Sequence, residues 1–370
     1  MTRFIIYKIL LLVFLLVLSC GRFTPPVEEI KHNLLIVYPN SGNKIYFVDT
    51  ELNEVKYSKT IFNVDSLSFN RMCVSTDYDN IYFIGHLRTA GNEFPAYAVK
   101  YCISKDSVTN IIPLGINQLG APRICPVILK HNLEILYLYS SNHGIYSINF
   151  ASGEIMQLTF DKVSPIEFYP IPENNWFIVI KELPYTNYSY AYSELVIYKY
   201  NSNLSNIDFT LNKNDVDSIA VLDITYSEKN NKLYITHLSS QQKSIGEKGY
   251  FSSYDLSTGK LKINSLELPW SSNPYYLEYS AENDECYTIG ESSNLYIIGL
   301  DSLNYYIKET IILDDKTNGP SRVVISPDNT TLYISSYYDN KVFVVDLKNR
   351  IVIKAINIEK PYKLKFPRFK

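Results

Sequence analysis

The sequence predicts an all-β protein assembled from a repeated four-stranded unit, and three observations predict it. The stretch from Gly319 to Glu359 breaks into four short runs rich in Val, Ile and Tyr: Arg322–Ser326, Leu332–Ser336, Lys341–Asp346 and Ile351–Ile358. The breaks carry Pro-Asp-Asn, Tyr-Asp-Asn and Lys-Asn-Arg, so β-formers alternate with turn-formers. The third of these runs recurs along the chain. The composition agrees: 33 Tyr and 17 Phe in 370 residues, with 46% hydrophobic residues, suit half-buried pleated surfaces and a large core.

Four antiparallel strands in about 40 residues make one propeller blade, and a single blade cannot bury both its faces. The third strand reads KIYFVDTEL at 44–52, AYAVKYCIS at 96–104, GIYSINFAS at 144–152, ELVIYKYNS at 194–202, GYFSSYDLS at 249–257, NLYIIGLDS at 294–302 and KVFVVDLKN at 341–349. The spacing, roughly 45 to 55 residues, lies at the upper edge of a blade period. In several copies an Asp or Asn closes the strand and the next begins six residues on, as from Asp49 to Val55, Asn149 to Ile155 and Asp255 to Leu261. Gly153 and Gly259 stand in two of these hairpins, where a tight turn favours them.

The first copy lacks a first strand, since Asn33–Tyr38 behaves as a second strand. The missing strand lies at the other end. Lys360-Pro361-Tyr362-Lys363-Leu364-Lys365-Phe366 parallels both Asn273–Tyr279 and Gly319–Ile325. The expectation is a seven-bladed β-propeller over 33–370, closed by a C-terminal strand completing blade one, which leaves no open edge.

The last copy carries Pro320, Ile325-Ser326-Pro327-Asp328-Asn329, Leu332-Tyr333-Ile334-Ser335-Ser336 and Val342-Phe343-Val344-Val345-Asp346. It resembles the YVTN-type β-propeller repeat. Asn329 stands where the family pattern has Gly, and Ser335-Ser336 where it has Thr-Asn. The resemblance is specific for the last blade, fair for blades one, five and six, and weak for blades two to four. It implies the architecture. Its related folds include non-catalytic surface proteins, amine dehydrogenase subunits and a sugar-lactone hydrolase, so it leaves activity open.

Residues 1–19 read as a signal peptide. Arg3 and Lys8 precede the apolar run Ile9–Leu18, which is too short to span a bilayer comfortably. Val17-Leu18-Ser19-Cys20 resembles the bacterial lipobox, which makes Cys20 the lipidation site; the alternative is an ordinary signal peptide with a chance Cys. Residues 20–32 read as a polar tether bearing Pro25 and Pro26. The expected location is the bacterial cell envelope, anchored to a membrane, the outer membrane first. Without Arg3 and Lys8 the 35 basic residues fall to 33 against 38 acidic ones, a charge of −5. A mildly acidic chain lacks the electrostatic footprint of a nucleic-acid binder.

No catalytic motif, metal site or cofactor fingerprint emerges. His32, His86, His131, His143 and His237 are scattered, and no C-x-x-C occurs, whereas a metal needs convergent ligands. Cys73 and Cys125 follow Arg71 and Arg123 in neighbouring first strands; a disulfide and buried free thiols both stay open. Glu167, Asp223 and Glu278 fall on first strands, either as a channel acid pair or as a hydrogen-bonded lining.

Two features converge. Arg71, Arg123, Arg322 and Lys363 share a position at the start of the innermost strand, a ring of cations for an anion or partners for Asp65, Asp314 and Asp315. The second-to-third-strand links are long at His86–Pro95, Lys181–Ser193 and Leu238–Lys248. The second of these carries Tyr185, Tyr188, Tyr190 and Tyr192, a contact-loop composition or a long hairpin. Trp270, in a blade-to-blade link, is expected on the same face. These readings lead to a lipid-anchored, non-catalytic scaffold that binds a protein or glycan. The alternatives are a hydrolase or oxidoreductase holding a small anionic substrate at the channel mouth, and a structural subunit of an envelope complex.

Overall fold

The computed structural model describes residues 34–39, 44–60, 67–74, 79–87, 94–118, 125–130, 135–140, 144–157, 164–171, 176–182, 193–200, 207–209, 219–239, 248–269, 276–290, 293–301, 304–314 and 320–366. The chain divides into two units, 1–34 and 35–370, and the sheets belong to the second. Among the described residues every regular element is a β-strand, and every pairing is antiparallel.

The strands group into four-stranded sheets. β1 (Leu34–Pro39), β2 (Lys44–Asp49) and β3 (Glu54–Thr60) belong to sheet 1. β4 (Leu67–Val74), β5 (Asn80–Leu87), β6 (Phe94–Cys102) and β7 (Ser107–Gln118) make sheet 2. β8 (Cys125–Lys130), β9 (Ile135–Ser140), β10 (Gly144–Asn149) and β11 (Ile155–Gln157) make sheet 3. Sheet 4 holds β12 (Ser164–Ile171), β13 (Trp176–Glu182), β14 (Ser193–Tyr200) and β15 (Ile207–Phe209). Sheet 5 holds β16 (Ile219–Ser227), β17 (Lys232–Ser239), β18 (Lys248–Asp255) and β19 (Lys260–Glu267). Sheet 6 holds β20 (Tyr276–Ser280), β21 (Glu285–Ile289), β22 (Asn294–Leu300) and β23 (Tyr305–Ile312). Sheet 7 holds β24 (Pro320–Ile325), β25 (Thr331–Ser336), β26 (Lys341–Asp346) and β27 (Ile351–Asn357). β28 (Pro361–Lys365) pairs with β1, giving sheet 1 the order β28-β1-β2-β3.

The hairpins between third and fourth strands show why the sequence turns where it does. Asp49, Asn149, Asp255 and Asp346 each accept two backbone N–H bonds from the turn, as Asp346 Oδ1 does from Lys348 at 2.8 Å and Asn349 at 2.9 Å. The turn then passes through a left-handed residue, Asn53, Gly153, Gly259 or Arg350. An Asx side chain stands in for a backbone acceptor, and Gly or Asn takes positive φ at little strain.

Period-two alternation here buries both faces. Leu332, Ile334, Phe343 and Val345 pack on sheet 6, whereas Tyr333, Val342 and Val344 pack on sheet 1 beside Leu35, Val37, Leu364 and Phe366. Comparable apolar layers join sheet 1 to sheet 2, sheet 2 to sheet 3, and sheet 5 to sheet 6. First strands neighbour one another in order: β4 beside β8, β8 beside β12, β16 beside β20, β20 beside β24 and β24 beside β28.

The tyrosine excess is partly a core feature. Tyr82, Tyr234, Tyr287 and Tyr333 sit on the second strands of their sheets and are buried. The ring fills the inter-sheet layer while the phenol finds a polar partner. Tyr333 donates to Asn53 Oδ1 at 2.7 Å, tying sheet 7 to the last hairpin of sheet 1.

Candidate functional site

The site is built from the beginnings of the first strands, where the ladder is interrupted. In β4 Phe69 pairs with Gly85 and Arg71 with Ile84. Pro165 and Glu167 behave likewise in β12, Val221 and Asp223 in β16, Pro320 and Arg322 in β24, and Pro361 and Lys363 in β28. Each is a bulge, one extra residue that bends the strand and re-aims the next side chain. Proline, with no N–H to donate, is at home at such a break. Counting along the second strands sets Arg71, Glu167, Asp223, Arg322 and Lys363 at one level. The cations Arg322, Lys363 and Arg71 follow one another in sheets 7, 1 and 2, and the acids Glu167 and Asp223 stand in sheets 4 and 5.

Polar contacts connect four of these first strands. Asp223 is 4% exposed, and its carboxylate accepts from the Leu277 N–H at 2.8 Å and from the Ile224 N–H at 3.0 Å. It therefore ties β16 to β20. Tyr276, next to Leu277, lies under Arg322, whose guanidinium carbon is 5.4 Å from the ring centre. Ser335, the cross-strand partner of Arg322, donates to the Tyr362 carbonyl at 3.3 Å. Lys363 comes next in the chain. Its residue is 6% exposed, and Nζ lies 5.8 Å from the Tyr362 ring centre. Cation–π attraction of this kind stabilises a charge that has lost water. The result is an arc across β16, β20, β24 and β28: carboxylate, ring, guanidinium, ammonium.

His237 lies beside this arc on β17, fully buried. Its Nε2 is 2.8 Å from the Ser252 hydroxyl, and the ring stacks on Tyr250 with centroids 5.8 Å apart. Burial pulls its pKa down from 6.5 to about 4, because desolvation penalises the cation. Above 6.5 neither folded nor unfolded chain carries the proton, and stability is full. Between 6.5 and about 4 the unfolded chain binds a proton that the folded chain refuses. Stability therefore falls with pH through this window, by about 3 kcal/mol at most. Urea midpoints from about pH 7 to about pH 4.5 are expected to decline less in His237→Gln than in the native protein. Equal slopes would contradict this assignment.

Arg71 occupies its register place in β4, and Ser335, opposite Arg322, links β25 to the backbone just before Lys363. Arg123, Cys20, Tyr185, Tyr188, Tyr190, Tyr192 and Trp270 lie outside the described residues. In sheet 3 the bulge sits further along, between Pro126 and Ile128, and Cys125, opposite Tyr139, takes the level of Arg71. Cys73 pairs with Tyr82, so the two cysteines differ in level. Glu278 pairs with Tyr287, two residues beyond Tyr276, and so stands off the level of Asp223. Asp314 pairs with Lys341 at 3.5 Å; Asp65 and Asp315 lie outside the described residues. Sequence reasoning missed Tyr276, whose signal was the aligned Asn273-Pro274 before it. Among the described residues no three His, Cys, Asp or Glu side chains gather as a metal site requires. Cys286 is buried, and burial pushes its thiol pKa well up, the state of an inert thiol.

No protein-family model and no curated protein matches this sequence. Solved structures do resemble it. Kuenenia stuttgartiensis hydrazine synthase aligns at 14% identity over 85% of this chain and 92% of that one, with a TM-score of 0.63. The Pseudomonas aeruginosa periplasmic gluconolactonase aligns at 12% identity over 91% and 99%, with a TM-score of 0.60. The β-propeller domain of Myceliophteria thermophila Cps50 (Swd1) aligns at 9% identity over 77% and 85%, with a TM-score of 0.54. Identities this low show the fold alone: the chain is a β-propeller. Enzymes and a non-enzyme share that fold here, so function has to be argued from the site.

Proposed function

We propose that this β-propeller is a lipid-anchored, seven-bladed scaffold of the bacterial envelope, which binds a protein or glycan partner without catalysis. In this reading residues 1–19 are the signal peptide, Cys20 carries the lipid, 20–32 are the tether and 33–370 are the propeller. The pairing of β28 with β1, and the packing of sheet 1 on both sheet 2 and sheet 7, support closure by the C-terminal strand. The YVTN-like motifs of sheet 7 support the repeat family.

The observation that carries the non-catalytic reading is the employment of Asp223 and His237. Both oxygens of Asp223 hold backbone N–H groups, and His237 is buried as a neutral ring with Ser252 as its partner. An acid–base catalyst must reach a substrate proton, and neither group is in a position to exchange one. The neighbouring cations Arg322 and Lys363 favour a second reading, an enzyme that acts on a small anionic substrate at the same end.

The partner-binding surface of the first reading is the long links. β13 and β14 pair at Glu182–Ser193, and β17 and β18 at Ser239–Lys248, so these links leave at the end where β12 and β16 begin. Crosslinking on cells carrying the tagged full-length protein, followed by capture and mass spectrometry, is expected to yield one partner through residues 182–192. Replacing Tyr185, Tyr188, Tyr190 and Tyr192 together by Ser is expected to abolish the capture. Capture that survives the quadruple change, in folded and lipidated protein, would sink the scaffold reading.

A further inference from the structure

We propose that β28 is an exchangeable strand, with Lys360 as its strained hinge and Asn340 as its latch, so that two copies of the chain can trade their closing strands. This rests on closure by β28 and not on the partner-binding reading. Failure of partner capture would leave it standing.

The joint between β27 and β28 is short. Ile358 is buried in the layer between sheets 7 and 1, and Pro361 is buried at the start of β28. Only Glu359 and Lys360, both exposed, lie between them. Lys360 has φ of 44°, in the left-handed region where a Cβ crowds its own backbone. It also precedes a proline, whose ring pushes the residue before it towards extended backbone. The corresponding prolines, Pro274 and Pro320, follow Asn273 and Gly319, residue types that accept a left-handed conformation readily. At the closing strand a lysine stands there instead. The joint therefore holds a conformation that its own sequence resists.

Asn340, in the hairpin between β25 and β26, keeps it there. Its carbonyl accepts from the Ile358 N–H at 3.0 Å, and its Oδ1 accepts from the Lys360 N–H at 2.8 Å. One residue thus clamps both sides of the joint. Beyond it, β28 is held by a short ladder on β1, with a register irregularity between Tyr38 and Pro39.

A β28 that leaves uncovers the edge of β1 and the apolar layer of Leu35, Val37 and Tyr333. The β28 of a second copy satisfies both, because it is the same strand, and exchange of an identical element is a low-cost route to a dimer. In the exchanged form Lys360 can extend, as Pro361 favours. The strain is then released while β28 keeps its pairing and its buried side chains. Short hinges under strain favour exchange for this reason. One such residue corresponds to about tenfold in an equilibrium.

The test incubates the full chain over a range of concentrations in moderate urea, returns it to buffer and sizes it by gel filtration. A dimer that grows with concentration and persists on dilution is expected. Val37 and Leu364 are cross-strand partners, close enough for a disulfide. Val37→Cys with Leu364→Cys, once oxidised, is expected to run as a covalent dimer on a denaturing gel when taken from the dimer peak, and as a single chain when taken from the monomer peak. The native chain, with its own cysteines, is the control. Lys360→Gly relieves the hinge and is expected to lower the dimerisation constant at least about tenfold. Asn340 has φ of 54°, so Asn340→Gly keeps the turn, removes the side-chain latch and is expected to raise the dimer fraction. A chain monomeric at every concentration, a dimer without the interchain disulfide, or a dimer equally abundant in Lys360→Gly would each overturn the exchange.

Discussion

A chain ending at Lys360 is expected to lose its cooperative unfolding transition, not merely to fray. The cut removes β28, and with it the ladder that pairs Ile36 with Lys365, Val37 with Leu364 and Tyr38 with Lys363. Leu364 is 1% exposed and Phe366 7%. Burying a side chain of this size contributes about 1.5 to 3 kcal/mol. The loss also uncovers Leu35, Val37, Tyr333 and Val344, which share their layer. The sum reaches several kcal/mol against a net stability of about 5 to 15 kcal/mol. An unpaired β1 is moreover a template for association. Circular dichroism melts of the native and truncated chains test this, and a synthetic peptide of residues 358–370 added in trans is expected to restore the transition. An unchanged melt after truncation would refute the clasp.

The second large effect is at Arg350, where a charge network and a strained backbone coincide. Glu285 is nearly buried. It is held by Lys308, by the Tyr287 hydroxyl at 3.0 Å and by Arg350 at 3.1 Å, and Arg350 also pairs with Glu309 at 2.8 Å. This ties the last hairpin of sheet 7 to sheet 6. Breaking a buried pair by removing one partner costs about 3 to 5 kcal/mol. The Arg350 side chain is 21% exposed and Lys308 remains, so Arg350→Ala is expected to cost less, about 2 to 3 kcal/mol. Arg350 also has φ of 57°, a conformation that any residue with a Cβ resists. Arg350→Gly loses the same ion pairs but relieves that resistance, and is expected to be milder than Arg350→Ala by up to about 1 kcal/mol. Urea midpoints of the two variants decide it. Two equally stable variants would mean that the turn carries no strain, and two native-like ones would mean that the network carries no stability.

Much of the strand pattern was legible before any coordinates. The expected strands at Leu332–Ser336 and Lys341–Asp346 correspond to β25 and β26, and the hairpin starts expected at Val55, Ile155 and Leu261 fall within one residue of β3, β11 and β19. These are local properties: β-branched and aromatic runs favour extended backbone, and an Asp or Asn organises the turn after it. Arg322 and Lys363 were also legible as a pair, because each comes after its Pro by the same interval.

Tertiary pairing decided the rest. Whether Tyr333 faces sheet 1 and Ile334 sheet 6 depends on which sheets lie alongside, since period two alone gives two faces and no neighbours. Levels around the first strands depend on bulges, which are features of a pair of strands and not of one. A bulge displaced along β8 puts Cys125 where sequence alignment expected Arg123, and the ladder of β20 sets Glu278 two residues beyond the level of Asp223. The sequence alone determined where backbone is extended and where it turns, because those choices are made within a few residues. Only the fold decided which charges meet, because a side chain's neighbours across two sheets are set by register and packing between segments far apart in the chain.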